Sequence, residues 1–351
     1  MAETFANPMG IDGFEFVEFT APDCNLLHDL FTRMGFTAVA RHRNRAVTLY
    51  RQNNVNFLVN AEPNSFAADF TAKHGPSACG FAVRVKDADF AYARALENGA
   101  QAIANKADTA ALNAPKIEGI GGSMLYLIDR YGDEDTYAEE FEPIDGADQN
   151  PEGVGLQFID HLTHNVNRGE MDTWAHYYER LFNFREIRYF DIKGKQTGLF
   201  SRAMTSPDGK VRIPLNESAD DKSQIAEYLK EYNGEGIQHI ALYTDRVYDT
   251  VEEMRARGVD FLDTPDTYYD MIGERVPGHS EDVERMRRNR ILIDADEETH
   301  KQLLLQIFTE NCIGPIFFEI IQRKGNEGFG EGNFRALFEA IERDQERRGV
   351  I

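Results

Sequence analysis

An internal repeat constrains the fold of this chain more than any other feature. Cys79–Ala100 (CGFAVRVKDADFAYARALENGA) lies without a gap beneath Gln238–Val259 (QHIALYTDRVYDTVEEMRARGV). Each reads as an apolar strand, a short polar turn and an amphipathic helix that stops at a glycine, Gly99 or Gly258, where a left-handed C-cap is needed. The segments FEFVEFTAPDCNLLHDLFTRMGFTAVA and IDHLTHNVNRGEMDTWAHYYERLFNFREIRYF both run strand, turn, helix, strand. FSRAMTSPDGKVRIPLN adds a hairpin around Pro207, Asp208 and Gly209. The expected architecture is α+β: two pseudo-repeated domains of paired βαβββ modules, forming open, curved, mostly antiparallel sheets with the helices outside. The polar, turn-rich stretch Glu142–Gly155 divides them into residues 1–150 and 151–351. Near the C-terminus, NFRALFEAIERDQERR is amphipathic through Phe334, Leu337, Phe338 and Ile341, and the glycines before it suit a lid helix over a site.

The repeat also serves as an internal control for odd residues. His239 falls on Gly80, and Glu319 falls on Tyr126 when IIQR is laid on LIDR. His161 falls among Phe14, Glu15 and Phe16. A lone strand histidine is ordinarily a hydrogen-bonded core residue. Here two histidines and a glutamate occur in one half and in neither superposed position of the other. Two imidazoles and a carboxylate on neighbouring strands suit a borderline divalent cation and leave coordination positions open for substrate and dioxygen. A carboxylate within IFFEII would be costly to bury ionised without a cation beside it. His164 points to the opposite face of a regular strand from His161 and is read as packing.

Other functions are disfavoured by composition. A net charge of −22 over 351 residues, with a pI near 4.8, argues against a nucleic-acid partner. The three cysteines, Cys24, Cys79 and Cys312, form no CxxC pair and no disulfide framework, which fits a reducing cytoplasm. No segment approaches the ~20 apolar residues of a membrane span, and the first residues lack a basic stretch followed by an apolar core. HExxH, GxSxG, GxxxxGK and dinucleotide-binding glycine patterns are missing from the sequence.

The motifs IDHLTHNV, FREIRYFDIKG, GEGIQHIAL, DTYYDMI, LLLQIF, FFEIIQRKG and GFGEGNFRALFEAIE resemble the 4-hydroxyphenylpyruvate dioxygenase family, within the vicinal oxygen chelate fold. GFEFVEF, HGPSACGFAVRVKDA and GIGGSMLYLIDRYG extend the likeness through the first half. The resemblance implies one Fe(II) per subunit on His161, His239 and Glu319, with no organic cofactor. It implies a polar network of Ser201, Asn216, Gln224, Gln238 and Gln306 around the substrate. Phe308, Phe317, Phe329, Phe334 and Phe338 would line the ring pocket, with Pro214 and Asn333 close by. The implied reaction takes a 2-oxo acid and O2 to homogentisate and CO2, in tyrosine catabolism, within a cytoplasmic homo-oligomer, tetrameric in bacterial members. The first half would serve structure and assembly. A hydroxymandelate synthase, an extradiol-type dioxygenase and a non-catalytic chelate-binding protein are the alternatives.

Overall fold

A computed structural model of the chain describes residues 5–103, 106–132, 135–193, 198–296, 299–333 and 336. The first half runs β1 (Phe14–Thr20), α1 (Asn25–Arg33), β2 (Thr37–His42), β3 (Val47–Gln52), β4 (Val55–Asn60), α2 (Phe66–His74), β5 (Ser77–Arg84), α3 (Ala88–Glu97), β6 (Lys116–Glu118), β7 (Met124–Ile128) and β8 (Phe141–Pro143). The second half opens with β9 (Phe158–Val166), α4 (Met171–Phe182), β10 (Arg185–Lys193), β11 (Gly198–Thr205), β12 (Arg212–Ser218), α5 (Gln224–Glu231), β13 (Gly236–Tyr243) and α6 (Val247–Ala256). The short helices α7 (Asp266–Asp270), α8 (Ile272–Arg275) and α9 (Val283–Asn289) follow, then β14 (Leu292–Ala295), β15 (Leu303–Phe308) and β16 (Phe317–Lys324).

Two eight-stranded sheets result, ordered β6-β7-β5-β1-β4-β3-β2-β8 and β10-β11-β12-β9-β13-β16-β15-β14. Each is mostly antiparallel, and its parallel pairs flank a central antiparallel pair, β1/β5 in one and β9/β13 in the other. Strand β1, FEFVEFT, is buried at every position because one face meets helices and the other lines the inside of the curled sheet. Amphipathic α1 buries Leu27, Leu30 and Phe31 against the outer face. There the two halves share one core, in which the ring of Phe318 lies 6.3 Å from Phe19 and 5.8 Å from Phe57. The repeated helices end as their sequences predict, with Gly99 at φ +86° and Gly258 at φ +83°.

Strand pairing fixes the register of the repeat. Gly80 pairs with Glu18 and Met124, and Ala82 with Phe16 and Tyr126. In the second sheet His239 pairs with Thr163 and Phe317, and Ala241 with His161 and Glu319. His161, His239 and Glu319 therefore correspond to Phe16, Gly80 and Tyr126.

The first sheet closes over its own centre. The Tyr126 hydroxyl reaches across to Glu18 at 2.5 Å, and Asn60 donates to the same carboxylate at 2.7 Å. A β-carbon at Gly80 would stand 3.0 Å from the Met124 carbonyl, 3.2 Å from the Tyr126 ring and 3.3 Å from Glu18. The βαβββ pattern loosens in this half at one point. The first half shows no counterpart of β14 among the described residues, its Ala102–Ile117 bridge matching the Phe261–Thr309 bridge of the second half, and β8 pairs with β2 on the far edge instead. Ala110, Ala111 and Leu112 pack inside the sheet with Phe16 and Tyr126, burying apolar surface that an exposed edge strand would leave wet. The expected lid helix, with Phe334 and Phe338, lies outside the described residues.

Candidate metal centre

Two β-bulges build the centre. Between His161 and Ile159 the β9 strand carries one extra residue, Asp160, and between Ile237 and His239 the β13 strand carries Gln238. A bulge lets adjacent side chains approach one locale, which regular alternation forbids. Asp160 Oδ1 accepts from His161 Nδ1 at 2.8 Å, and Gln238 Oε1 accepts from His239 Nδ1 at 3.0 Å. Holding a proton on each Nδ1 turns both Nε2 lone pairs inward, the orientation that metal-binding imidazoles take from such partners.

The inward atoms converge. His161 Nε2 lies 3.3 Å from His239 Nε2, and Glu319 Oε2 lies 3.2 Å from the first and 3.4 Å from the second. Glu319 Oε1 is buried and has no protein partner. Burial alone would raise the pKa of Glu319, but a protonated His161 beside it, with the bond to His239, holds it down at about 2, and a divalent cation would take the place of the inward proton. Two imidazole lone pairs, a buried carboxylate and a spare carboxylate oxygen form a donor set that fits a divalent transition metal such as iron(II).

Charge behind the centre is also paired. Burial opposes ionisation of Asp160, yet Arg323, through its charge and two hydrogen bonds at 2.7 and 2.8 Å, keeps the carboxyl well below its usual range. Arg212 adds a contact at 3.3 Å to Asp160 and reaches Glu327 at 2.6 Å. Arg323 also donates to the carbonyls of Asn326 and Gly328, at 3.1 and 2.6 Å. The segment after β16 is thereby tied to the partner of His161.

The candidate ligands open into a cleft of about 490 Å3, its open mouth included. Of the residues predicted from sequence, Ser201, Pro214, Asn216, Phe308 and Phe329 line it. The Phe329 ring stands edge-on to His161 at 5.3 Å, and Phe317 stacks on His239 at 4.9 Å. Gln306 is buried on the inner face of β15 and accepts from Asn333 at 3.2 Å, with Gly330 lying directly over it. Asn333 is itself held by Tyr268 at 2.6 Å and Arg275 at 3.0 Å. Gln238 is engaged by its own histidine. Gln224 is exposed at the first position of α5 and is not brought to the cleft. Phe334 and Phe338 lie outside the described residues.

Thr163, Phe190, Leu199 and Glu331 also line the cleft and were not read from the sequence. Thr163 carried a signal, since it stands two positions from His161 on one strand face, and its hydroxyl meets His239 Nε2 at 3.0 Å. His164 faces away as predicted, against Tyr178 at 2.7 Å, and burial pushes its pKa down to about 3.

Curled sheets with a facing His-His-carboxylate group define a class, and the comparisons agree with it. A family model for the glyoxalase/bleomycin resistance protein/dioxygenase superfamily matches residues 158–274, and one for the N-terminal part of hydroxyphenylpyruvate dioxygenase matches residues 5–142. The chain is 59% identical to a 4-hydroxyphenylpyruvate dioxygenase of Pseudomonas aeruginosa, over 98% of this chain and 97% of the relative. It is 60% identical to a protein of Vibrio vulnificus named hemolysin VllY, over 98% of both. A solved mutant of 4-hydroxymandelate synthase from Streptomyces coelicolor superposes with a TM-score of 0.79 at 25% identity, covering 95% of this chain and 99% of the other. The chain belongs to the 4-hydroxyphenylpyruvate dioxygenase family.

Proposed function

We propose that the chain converts 4-hydroxyphenylpyruvate and O2 to homogentisate and CO2, as an iron(II)-dependent dioxygenase of tyrosine catabolism. The observation that carries this reading is the convergence of His161 Nε2, His239 Nε2 and Glu319 Oε2 within 3.4 Å of one another in a cleft that Phe190, Phe308 and Phe329 line. Iron(II) on these three residues would supply, when bound, the site where the 2-oxo acid chelates and dioxygen is activated. Both oxygen atoms of O2 remain in the products, one in the new carboxylate as CO2 leaves and one on the ring, so no external reductant is needed.

The chain's own contributions are placement and exclusion of water. Asp160 and Gln238 fix the imidazoles through their Nδ1 protons. Phe308, Phe317 and Phe329 provide apolar walls for an aromatic ring beside the ligands. Ser201 and Asn216 offer neutral hydrogen bonds that orient polar substrate atoms without adding charge. The first half supports the fold, and residues 1–150 and 151–351 act as the structural and catalytic domains.

The likeness to a 4-hydroxymandelate synthase keeps a second reading in view, benzylic hydroxylation of the same substrate. Anaerobic loading with iron(II), followed by oxygen uptake and mass identification of the product, decides between them. Homogentisate with matching CO2 supports the proposal, hydroxymandelate overturns the regiochemistry, and no uptake with iron bound overturns the activity. His239→Ala and Glu319→Ala are expected to lose iron and turnover while retaining the fold, since the first sheet forms without either residue. Full iron content in both variants would remove the ligand assignment.

A further inference from the structure

Asn165 lies near the C-terminal end of β9 and is fully buried, yet neither its Oδ1 nor its Nδ2 has a hydrogen-bond partner in the protein. It is the one side chain among the described residues with two such atoms. Buried amides are ordinarily satisfied, and one left wholly unpaired in a native interior calls for a partner from outside the chain. Its place in the sheet indicates which side that partner approaches. Asn165 pairs in register with Asn216 of β12, which pairs in turn with Ser201 of β11. Residues in register across a sheet share a face, so Ser201, Asn216 and Asn165 form one polar row, with strands about 4.8 Å apart. Ser201 and Asn216 line the cleft. Asn165 shares the face of Thr163 and His161, two and four positions back along β9. Its neighbour on β13, Gly236, has Tyr228 and Tyr232 of the α5 region against it, so these rings cover this end of the strand pair, and Asn165 lies next to the cleft lining in the row rather than in it.

The first half supplies a control. The register places Thr20 where the second half has Asn165, and the Thr20 hydroxyl is bonded to Thr71 of the overlying α2 at 2.7 Å. The closed sheet satisfies this position internally, whereas the sheet with the cleft leaves it unsatisfied.

We propose that Asn165 is a specificity-determining residue that receives the phenolic hydroxyl of the substrate, directly or through one ordered water. This rests on the proposed activity toward an aromatic 2-oxo acid. An amide with both a free donor and a free acceptor matches a neutral hydroxyl, which donates and accepts, better than a carboxylate, which only accepts. The reacting end of the substrate belongs at the His-His-Glu group, so its far end is the part that reaches this row.

The test compares 4-hydroxyphenylpyruvate with phenylpyruvate, which lacks the hydroxyl, on the iron-loaded enzyme and on Asn165→Leu. Asn165→Thr, which copies the side chain at the equivalent position of the first half, stands in if the leucine variant does not fold. Discrimination between the two substrates, as a ratio of kcat/KM, is expected to fall by about tenfold through loss for the hydroxylated substrate alone, the scale of one hydrogen bond. Unchanged discrimination, with a higher melting temperature from removal of the unpaired amide, would overturn the inference. Failure of the parent enzyme to turn over 4-hydroxyphenylpyruvate would instead overturn the proposed activity, and the two failures are read from different proteins.

Discussion

Replacing Asp160 by asparagine removes one charge and almost no volume. The asparagine oxygen can still accept from His161 Nδ1, so the direct support of the ligand survives. What is lost is the counter-charge of Arg323, whose side chain is 7% exposed against 0% for Asp160. Unit charges about 4 Å apart attract by roughly 4 kcal/mol at an effective dielectric constant of 20. Removing one partner of such a pair leaves the other buried and uncompensated, at a cost of about 3–5 kcal/mol. For a domain of this size that lowers the melting temperature by about 10 °C. Arg323→Met alone should cost less, because Arg212 remains beside Asp160 at 3.3 Å, and the double variant should recover part of the Asp160→Asn loss because the buried guanidinium is gone. Differential scanning calorimetry of all four proteins gives the coupling. Additive losses, or an Asp160→Asn protein melting within about 2 °C of the parent, would refute the pairing as described.

Two further perturbations test other parts of the molecule. Burial raises the pKa of Glu18 above its ordinary 4.5 and outweighs the bonds from Tyr126 and Asn60. An acid whose folded pKa is raised favours folding below the unfolded value and loses that contribution as the pH climbs through the folded value. Glu18→Gln should therefore gain in melting temperature relative to the parent as the pH rises from about 4.5 to neutrality, whereas a constant gap across that range would contradict it. Chelation should lower the melting temperature of iron-loaded protein, with about 2.7 kcal/mol at stake when free metal stands at a hundred times its dissociation constant. Limited proteolysis should then cut the second sheet before the first, and preferential cutting in the first would contradict that order.

The sequence made the three converging side chains legible because the repeat supplied a blank copy of each position. His239 over Gly80 and Glu319 over Tyr126 hold residue for residue in the paired strands. His161 was located only to within three positions. The bulge at Asp160 is not the cause, because β1 carries the matching bulge at Glu15 and the superposition runs through both without a gap. Asp160 was passed over because a bulge leaves no periodic trace in sequence, and Gln238 was placed around the substrate by the family resemblance. Asn165 was hidden differently. An asparagine in a strand is unremarkable until its burial and the absence of partners are known. Gln224 was carried by likeness alone and sits exposed on α5. The loss of a β14 counterpart could not be foreseen, since the apolar run AALNAP reads equally well as strand or as filler.

The closed first sheet has a consequence for descent. A histidine at position 80 would collide with Glu18, Tyr126 and a main-chain oxygen, a glutamate at 126 would abandon the phenol that Glu18 holds, and a histidine at 16 would place an imidazole in an apolar packing layer. Each step toward a second centre is harmful until the other two are present. The first half is therefore held on its side of a valley that single substitutions do not cross, and mutation can reshape its surface without creating a competing metal centre.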